Sequence, residues 1–220
     1  MSEPAPLGIL GGTFDPVHYG HLRLAEQARE QLGLAEVRWI PAGRPAHRGT
    51  PRSAPSHRVE MVRLAIAGNP AFHLDDAEAQ SSAPSYSVPT LERLRGELGA
   101  RRPLVLLLGA DAFLGLESWH RWRELFNLAH IAVATRPRSP LDAARLPQAL
   151  AAEFAARRCA GPADLGATPA GAILPFAITA LDISATLLRE NFAAGRSARY
   201  LLPDPVLDYI FRNRLYSPSR

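Results

Sequence analysis

Gly8-Ile9-Leu10-Gly11-Gly12-Thr13-Phe14-Asp15-Pro16-Val17-His18-Tyr19-Gly20-His21 is the stretch that decides the fold of this chain. The short apolar run Gly8–Gly11 ends in glycine, and the turn-rich Gly12–Pro16 follows it. From Tyr19 onward Leu22, Ala25, Ala28 and Leu32 recur at the spacing of one helix face. Gly33 stands where a helix closes on a left-handed residue. Val37–Ile40 is a second apolar run, stopped by Pro41. A strand, a helix and a strand in that order need a crossover connection, so parallel strands are expected.

The alternation continues. After a loop at 41–55, Ser56 is placed to cap a helix running through Met61, Leu64 and Ala65 to Gly68. Phe72–Leu74 reads as a weak strand, and a polar stretch at 81–90 leads to a helix near Thr90–Leu98. Leu104–Leu108 is wholly apolar, as a strand covered on both faces is. Trp119–Leu128 predicts a helix and Ile131–Thr135 the next strand. Within the Ala/Pro/Gly-rich 138–171 a helix is expected at Ala143–Ala156, then a strand at Ile173–Ala177 and helices at Ser184–Ala194 and Pro205–Arg212. The expected fold is α/β: a Rossmann-like, doubly wound parallel sheet in a single domain, residues 1–220, with a small helical C-terminal portion at about 184–216.

The chain has 220 residues, 47% of them hydrophobic and 21% charged, which is a globular composition. A domain of this size buries roughly 70% of its unfolded surface. Cys159 is the sole cysteine, so no internal disulfide forms. The start of the chain has no basic segment followed by an apolar one, and Leu104–Leu108 is far short of the ~20 residues of a membrane span. No signal peptide, no membrane and a cytoplasmic location are therefore expected. The formal charge is +4, and all 25 basic residues are arginine. Without lysine there is no Gly-Lys-Ser/Thr phosphate loop and no Schiff-base lysine. Phosphate chemistry here must run on arginine, histidine, backbone N–H groups and a metal. No basic stripe with interleaved aromatics points to nucleic acid.

Gly11 and Gly12 let a bulky anion approach the backbone at the end of the first strand. His18 and His21 share one face of the first helical turn, where unpaired N–H groups and the dipole favour anions. Together they make a cradle for a polyphosphate. A metal-binding pair is the competing reading, although no third nitrogen or sulfur ligand lies nearby in sequence. Far along the chain, Asp182-Ile183-Ser184-Ala185-Thr186-Leu187-Leu188-Arg189 supplies Ser184 as an N-cap. Thr186 and Arg189 then share a face beside a second helix start. Leu107-Leu108-Gly109-Ala110-Asp111 ends the buried strand at the sheet edge where such folds bind ligands. Asp111 either accepts hydrogen bonds from a ribose or caps the next helix.

The string Gly-Gly-Thr-Phe-Asp-Pro-x-His-x-Gly-His resembles the nucleotidyltransferase superfamily marked by His-x-Gly-His, and its adenylyltransferase branch in particular. Ile183–Arg189 is similar to that superfamily's Ile-Ser-x-Thr-x-x-Arg motif, which grips the ATP phosphates from the far side. Ile40–Arg48, Pro84–Ser87, Trp119, Thr135–Pro137 and Leu202–Val206 resemble the bacterial nicotinate mononucleotide adenylyltransferases in order and spacing, so the likeness runs from Leu7 to about Tyr216. Departures are small: Ala42, Ala46, Ser87 and Ala185 stand where relatives often carry Asn, Pro, Thr and Ser. The resemblance implies ATP binding by Gly11, Gly12, Thr13, Phe14, His18, His21, His47, Gly109, Asp111, Ser184, Thr186 and Arg189, with His18, His21 and Arg189 catalytic. It further implies that Arg48, Ser85, Tyr86, Ser87, Trp119 and Arg136 hold the acceptor. Trp119 would stack on the pyridine ring, Arg48 and Arg136 would hold the phosphate, and backbone N–H groups near Tyr86–Ser87 and Trp119 would face the carboxylate. The implied reaction moves AMP from ATP to nicotinate mononucleotide in NAD biosynthesis. Mg²⁺ enters with ATP, and no side chain is assigned to the metal. Nicotinamide mononucleotide or phosphopantetheine as acceptor, and an ATP sensor without turnover, remain open at this point. The whole reading requires Ser184–Arg189 to converge on His18 and His21.

Overall fold

The apolar runs become strands. In the computed structural model, which describes residues 5–46, 49–135 and 141–217, β1 spans Leu7–Gly12, β2 Glu36–Pro41, β3 Phe72–Leu74, β4 Leu104–Gly109, β5 His130–Thr135 and β6 Ile173–Ala177. They form a six-stranded sheet in the order β3-β2-β1-β4-β5-β6. The pairing is parallel: Leu106 lies opposite Ile9 on one side and Ile131 on the other, and Val133 pairs with Pro175. The strand order runs outward in one direction from β1 and in the other from β4, which is the doubly wound arrangement. Leu104–Leu108 and all of β5 are buried. Each large aliphatic side chain so covered contributes roughly 1.5–3 kcal/mol.

The helices are α1 (Tyr19–Gln31), α2 (Pro55–Ile66), α3 (Ala77–Gln80), α4 (Ser87–Leu98), α5 (Ala110–Leu114), α6 (Leu125–Leu128), α7 (Gln148–Arg157), α8 (Ala163–Ala167), α9 (Ala185–Ala193) and α10 (Asp204–Arg212). Gly33, just past α1, has φ +63°, as the sequence predicts for a closing glycine. Several helix boundaries differ from expectation. Pro55, not Ser56, opens α2, because its fixed φ suits the first helical position. Helix α4 starts at Ser87 rather than Thr90, since Pro89 is tolerated within a first turn. Trp119–Leu128 is not one helix: Arg121 is left-handed at φ +56°, 3₁₀ turns flank it, and only Leu125–Leu128 is α. Ion pairs from Arg121 to Glu92 and Glu124 hold that turn. Ala143–Ala156 breaks at Leu146–Pro147, where a proline forces the preceding residue out of the helical region.

Contacts group the chain into two compact units whose segments interleave. The first takes Met1–Leu10, Leu24–Arg38 and Tyr86–Thr179; the second takes Gly11–Arg23, Trp39–Ser85 and Ala180–Arg220. Interleaving leaves no linker for a sequence to reveal. In the first unit β4, β5 and β6 pair as a continuous parallel block. In the second, α10 lays Val206, Leu207 and Ile210 inward, and Tyr209 Oη lies 2.8 Å from His57 Nδ1 on α2. Among the described residues no helix is long and apolar enough to cross a membrane.

Candidate active site

Helix α1 begins at Tyr19, so His18 occupies its N-cap and His21 its third position. The two close a reciprocal capping box built from imidazoles. Gly20 N–H donates to His18 Nδ1 at 3.1 Å, and His18 N–H donates to His21 Nδ1 at 3.3 Å. Each Nδ1 is therefore an acceptor, which places the proton of each neutral ring on Nε2. The rings stack with centroids 3.8 Å apart. A Cβ at Gly20 would lie 3.0 Å from the His18 ring, so any larger residue there would have to displace that ring. A Cβ at Gly11, by contrast, would meet nothing within 4 Å. His130 shows the difference between a core histidine and these two. It is fully buried, one nitrogen accepts from Ala172 N–H and the other lies 2.8 Å from the Thr168 carbonyl.

Burial pushes the pKa of His18 down to about 4 from an ordinary 6.5. His18 is thus a neutral hydrogen-bond donor at neutral pH, not a cation. Between those two values the unfolded chain binds a proton that the folded chain refuses. Stability therefore rises with pH across this window, and acidification through it costs roughly 3 kcal/mol. His18→Asn keeps a capping oxygen but cannot charge. It is expected to flatten the dependence of the urea midpoint on pH between about 6.5 and 4; an unchanged slope would move the acid sensitivity elsewhere.

Helix α9 starts as expected. Ser184 Oγ accepts from Leu187 N–H at 3.1 Å and caps it. On the first turns of α9, Arg189 Nη2 donates to Thr186 Oγ1 at 3.1 Å. Arg189 Nη1 donates to the carbonyl of Asp15 at 2.7 Å, across 174 residues of sequence. The required convergence is present: the distal arginine is bonded to the loop that carries His18.

The loop itself is held by residues whose part the sequence does not reveal. Asp15 is buried and its carboxylate accepts from Arg52 N–H (2.7 Å), Ser53 N–H (3.2 Å), Ser53 Oγ (2.5 Å) and Tyr216 Oη (2.6 Å). Arg58, with no exposed surface, donates to the carbonyls of Thr13 (2.9 Å), Gly43 (2.9 Å), Ser53 (3.3 Å) and Ala42. One signal for Arg58 was available: it shares a helix stripe with the buried Met61, Val62 and Ile66. Phe14 has φ +50°, and its ring is buried against His21 and Trp39. Any contact it makes with ATP is therefore through backbone.

Of the acceptor residues, Ser85 clamps the loop after β2: its Oγ accepts from Gly43 N–H at 2.9 Å and Arg44 N–H at 3.2 Å. Tyr86, Ser87 and Trp119 belong to the first unit. Tyr86 precedes α4 and its ring lies 4.6 Å from His120; Ser87 opens the helix, whose first N–H groups lack intrahelical partners. Trp39 and Trp122 are buried whereas Trp119 is half-buried, so the tryptophan assigned to stacking is not a core residue. Its N–H, however, donates to Leu116 O at 2.9 Å, so the backbone donor expected at Trp119 is already engaged. Gly109, not Asp111, is the N-cap of α5, and Asp111 lies exposed in the first turn, which overturns the capping alternative. His47, Arg48 and Arg136 lie outside the described residues. Among the described residues no three His, Cys, Asp or Glu side chains cluster to hold a metal.

The sequence matches the family described as cytidylyltransferase-like over residues 9–191. A probable nicotinate-nucleotide adenylyltransferase of Dechloromonas aromatica (strain RCB) is 59% identical over 219 residues, covering 100% of both chains. A protein of the same name from Halorhodospira halophila (strain DSM 244 / SL1) is 52% identical, covering 94% of this chain and 93% of its own. Among solved structures, Plasmodium falciparum nicotinic acid mononucleotide adenylyltransferase complexed with NaAD aligns with a TM-score of 0.73, covering 96% of this chain and 97% of that one. At 17% identity that likeness speaks to the fold.

Proposed function

The chain belongs to the cytidylyltransferase-like family and, within it, to the nicotinate-nucleotide adenylyltransferases; from that premise we infer that it transfers AMP from ATP to nicotinate mononucleotide, giving nicotinate adenine dinucleotide and pyrophosphate for NAD biosynthesis. It would do so as a cytoplasmic enzyme. An oxygen of the acceptor phosphate forms a bond to the α-phosphorus as the bond to the bridging β-oxygen breaks, and that electron pair leaves with pyrophosphate. The attacking phosphate is already ionised at neutral pH, so no general base is needed. Catalysis then rests on positioning and on stabilising developing charge.

The bond from Arg189 to the Asp15 carbonyl carries this reading, because it sets the guanidinium beside the turn that bears His18 and His21. His18 and His21 would donate through Nε2 to the α- and β-phosphates. Arg189, Ser184 and Thr186 would hold the β- and γ-phosphates, Gly11, Gly12, Thr13, Phe14 and His47 the rest of the triphosphate loop, and Gly109 and Asp111 the adenosine. On the acceptor, Trp119 would stack on the pyridine ring, Arg48 and Arg136 would take the phosphate, and the first-turn N–H groups of α4 at Ser87 would favour a carboxylate. Ser85 would act by holding its loop. Mg²⁺, entering with ATP, would neutralise phosphate charge from the phosphate oxygens themselves.

With Mg²⁺ and ATP, pyrophosphate release is expected to be faster with nicotinate mononucleotide than with nicotinamide mononucleotide or phosphopantetheine. ATP binding without pyrophosphate release in all three cases would make the chain a sensor instead. Arg189→Ala is expected to lower kcat by about 10²-fold, the scale of one lost charge-stabilising donor. Arg189→Lys should not restore it, since a single ammonium cannot make both directed bonds of the guanidinium. Wild-type turnover in Arg189→Ala would exclude the distal helix from the reaction.

A further inference from the structure

We propose that Tyr216 is a positioning residue for adenylyl transfer: its hydroxyl, by fixing the Asp15 side chain, holds the Asp15 carbonyl against Arg189 and the turn before His18 in place. This rests on the function proposed above. The path to it starts in a helix ending. Helix α10 closes with Leu215 N–H donating to Ile210 O (3.0 Å) and Arg214 N–H to Phe211 O (3.1 Å), with Arg214 left-handed at φ +53°. That is the double bond pattern of a Schellman ending. It reverses the chain and lays the Tyr216 ring on Phe192 of α9, centroids 5.8 Å apart and 23° from parallel. The hydroxyl then donates to Asp15 Oδ1 at 2.6 Å.

Three elements distant in sequence thus meet at one aspartate. Its carboxylate takes Tyr216 and the Arg52–Ser53 loop, and its carbonyl takes Arg189. Burial, and then the bond to Asp15, raise the pKa of Tyr216 well above the ordinary phenol range, so the hydroxyl is a fixed donor. Tyr216 is not placed against a reacting atom. Its effect must pass through Asp15 and Arg189.

Tyr216→Phe keeps the ring on Phe192 and removes only the donor. Measured at 25 °C by pyrophosphate release, it is expected to lower kcat about tenfold, the scale of one hydrogen bond to a charged group, with the KM for nicotinate mononucleotide unchanged. Ser53→Ala, which removes the other hydroxyl donor to Asp15, should give the same pattern. Added to Arg189→Ala, Tyr216→Phe should cost nothing further, because its route has already been cut. Wild-type kcat in Tyr216→Phe, or a full tenfold loss added on top of Arg189→Ala, would overturn the proposal. Should the wild type bind ATP but release no pyrophosphate with any of the three acceptors, the proposed function fails, and Tyr216 is then judged by calorimetric ATP affinity. An affinity about tenfold weaker in Tyr216→Phe upholds it, and an unchanged affinity sinks it.

Discussion

His21→Ala is expected to slow adenylyl transfer by about 10²-fold or more, the scale seen when one preorganised donor is removed from a site of developing charge. Two effects must be separated. The Nδ1 of His21 accepts the His18 N–H, so alanine also opens the cap of α1, a loss of about 0.5–2 kcal/mol of stability. It also removes the edge contact with Phe14, 5.1 Å between ring centroids. His21→Gln isolates the chemistry: a glutamine at the third helical position closes the same capping box through its amide oxygen, but its flexible amide NH2 does not stand where the rigid imidazole holds its Nε2–H. Stability should return in the glutamine variant while kcat stays low. A near-normal rate in His21→Ala would take the histidine out of the mechanism altogether.

Strands β4 and β5 were legible because a parallel strand covered on both faces is apolar almost throughout, whereas β2 and β3 carry Arg38 and an exposed His73 and were read from short apolar runs. Phe72–Leu74 and Ile173–Ala177 match residue for residue, and Leu104–Leu108 and Ile131–Thr135 each fall one residue short. The helices were less so where a backbone break has no local mark. Arg121 in a left-handed turn carries no glycine or asparagine to announce it; its reason is an ion pair to Glu92, 29 residues away. In the site, the string from Gly11 to His21 and the segment Ser184–Arg189 were legible as two helix starts, and the bond from Arg189 to the Asp15 carbonyl joins them. The tautomers of His18 and His21 were not visible, since they depend on which backbone N–H each ring accepts. Ser85 was read as a contact to the acceptor; that its oxygen also accepts from the Gly43 and Arg44 N–H groups, 42 and 41 residues away, was not legible. The parts of Asp15 and Tyr216 stayed hidden because their partners are tertiary, and Arg58, although it shares a stripe with buried residues, has a reason to be buried only once the loops above α2 are known.

Arg58 carries the largest stability effect expected here. Its guanidinium satisfies carbonyls in three separate turns: Thr13 after β1, Ala42 and Gly43 after β2, and Ser53 before α2. Desolvation lowers its pKa, and the nearby Asp15 charge opposes that shift. The residue is retained as a cation because the loops need its donors. Arg58→Met keeps much of the side-chain volume and removes every donor. It leaves buried carbonyls unpaired and deprives Asp15 of a neighbouring positive charge. A loss of about 3–5 kcal/mol is expected, the scale of breaking a buried charged network by deleting one member. In a chain of this length that lowers Tm by roughly 10 °C. The urea midpoint should fall with the m-value unchanged, because the folded core is the same. Arg58→Lys should recover less than half, since three donors on one nitrogen cannot span carbonyls that a planar fork reaches from both sides. A loss below about 1 kcal/mol in Arg58→Met would mean that water takes over the four carbonyls. In that case the loops around Thr13 and Gly43 are held by Asp15 and Ser85, not by the buried cation.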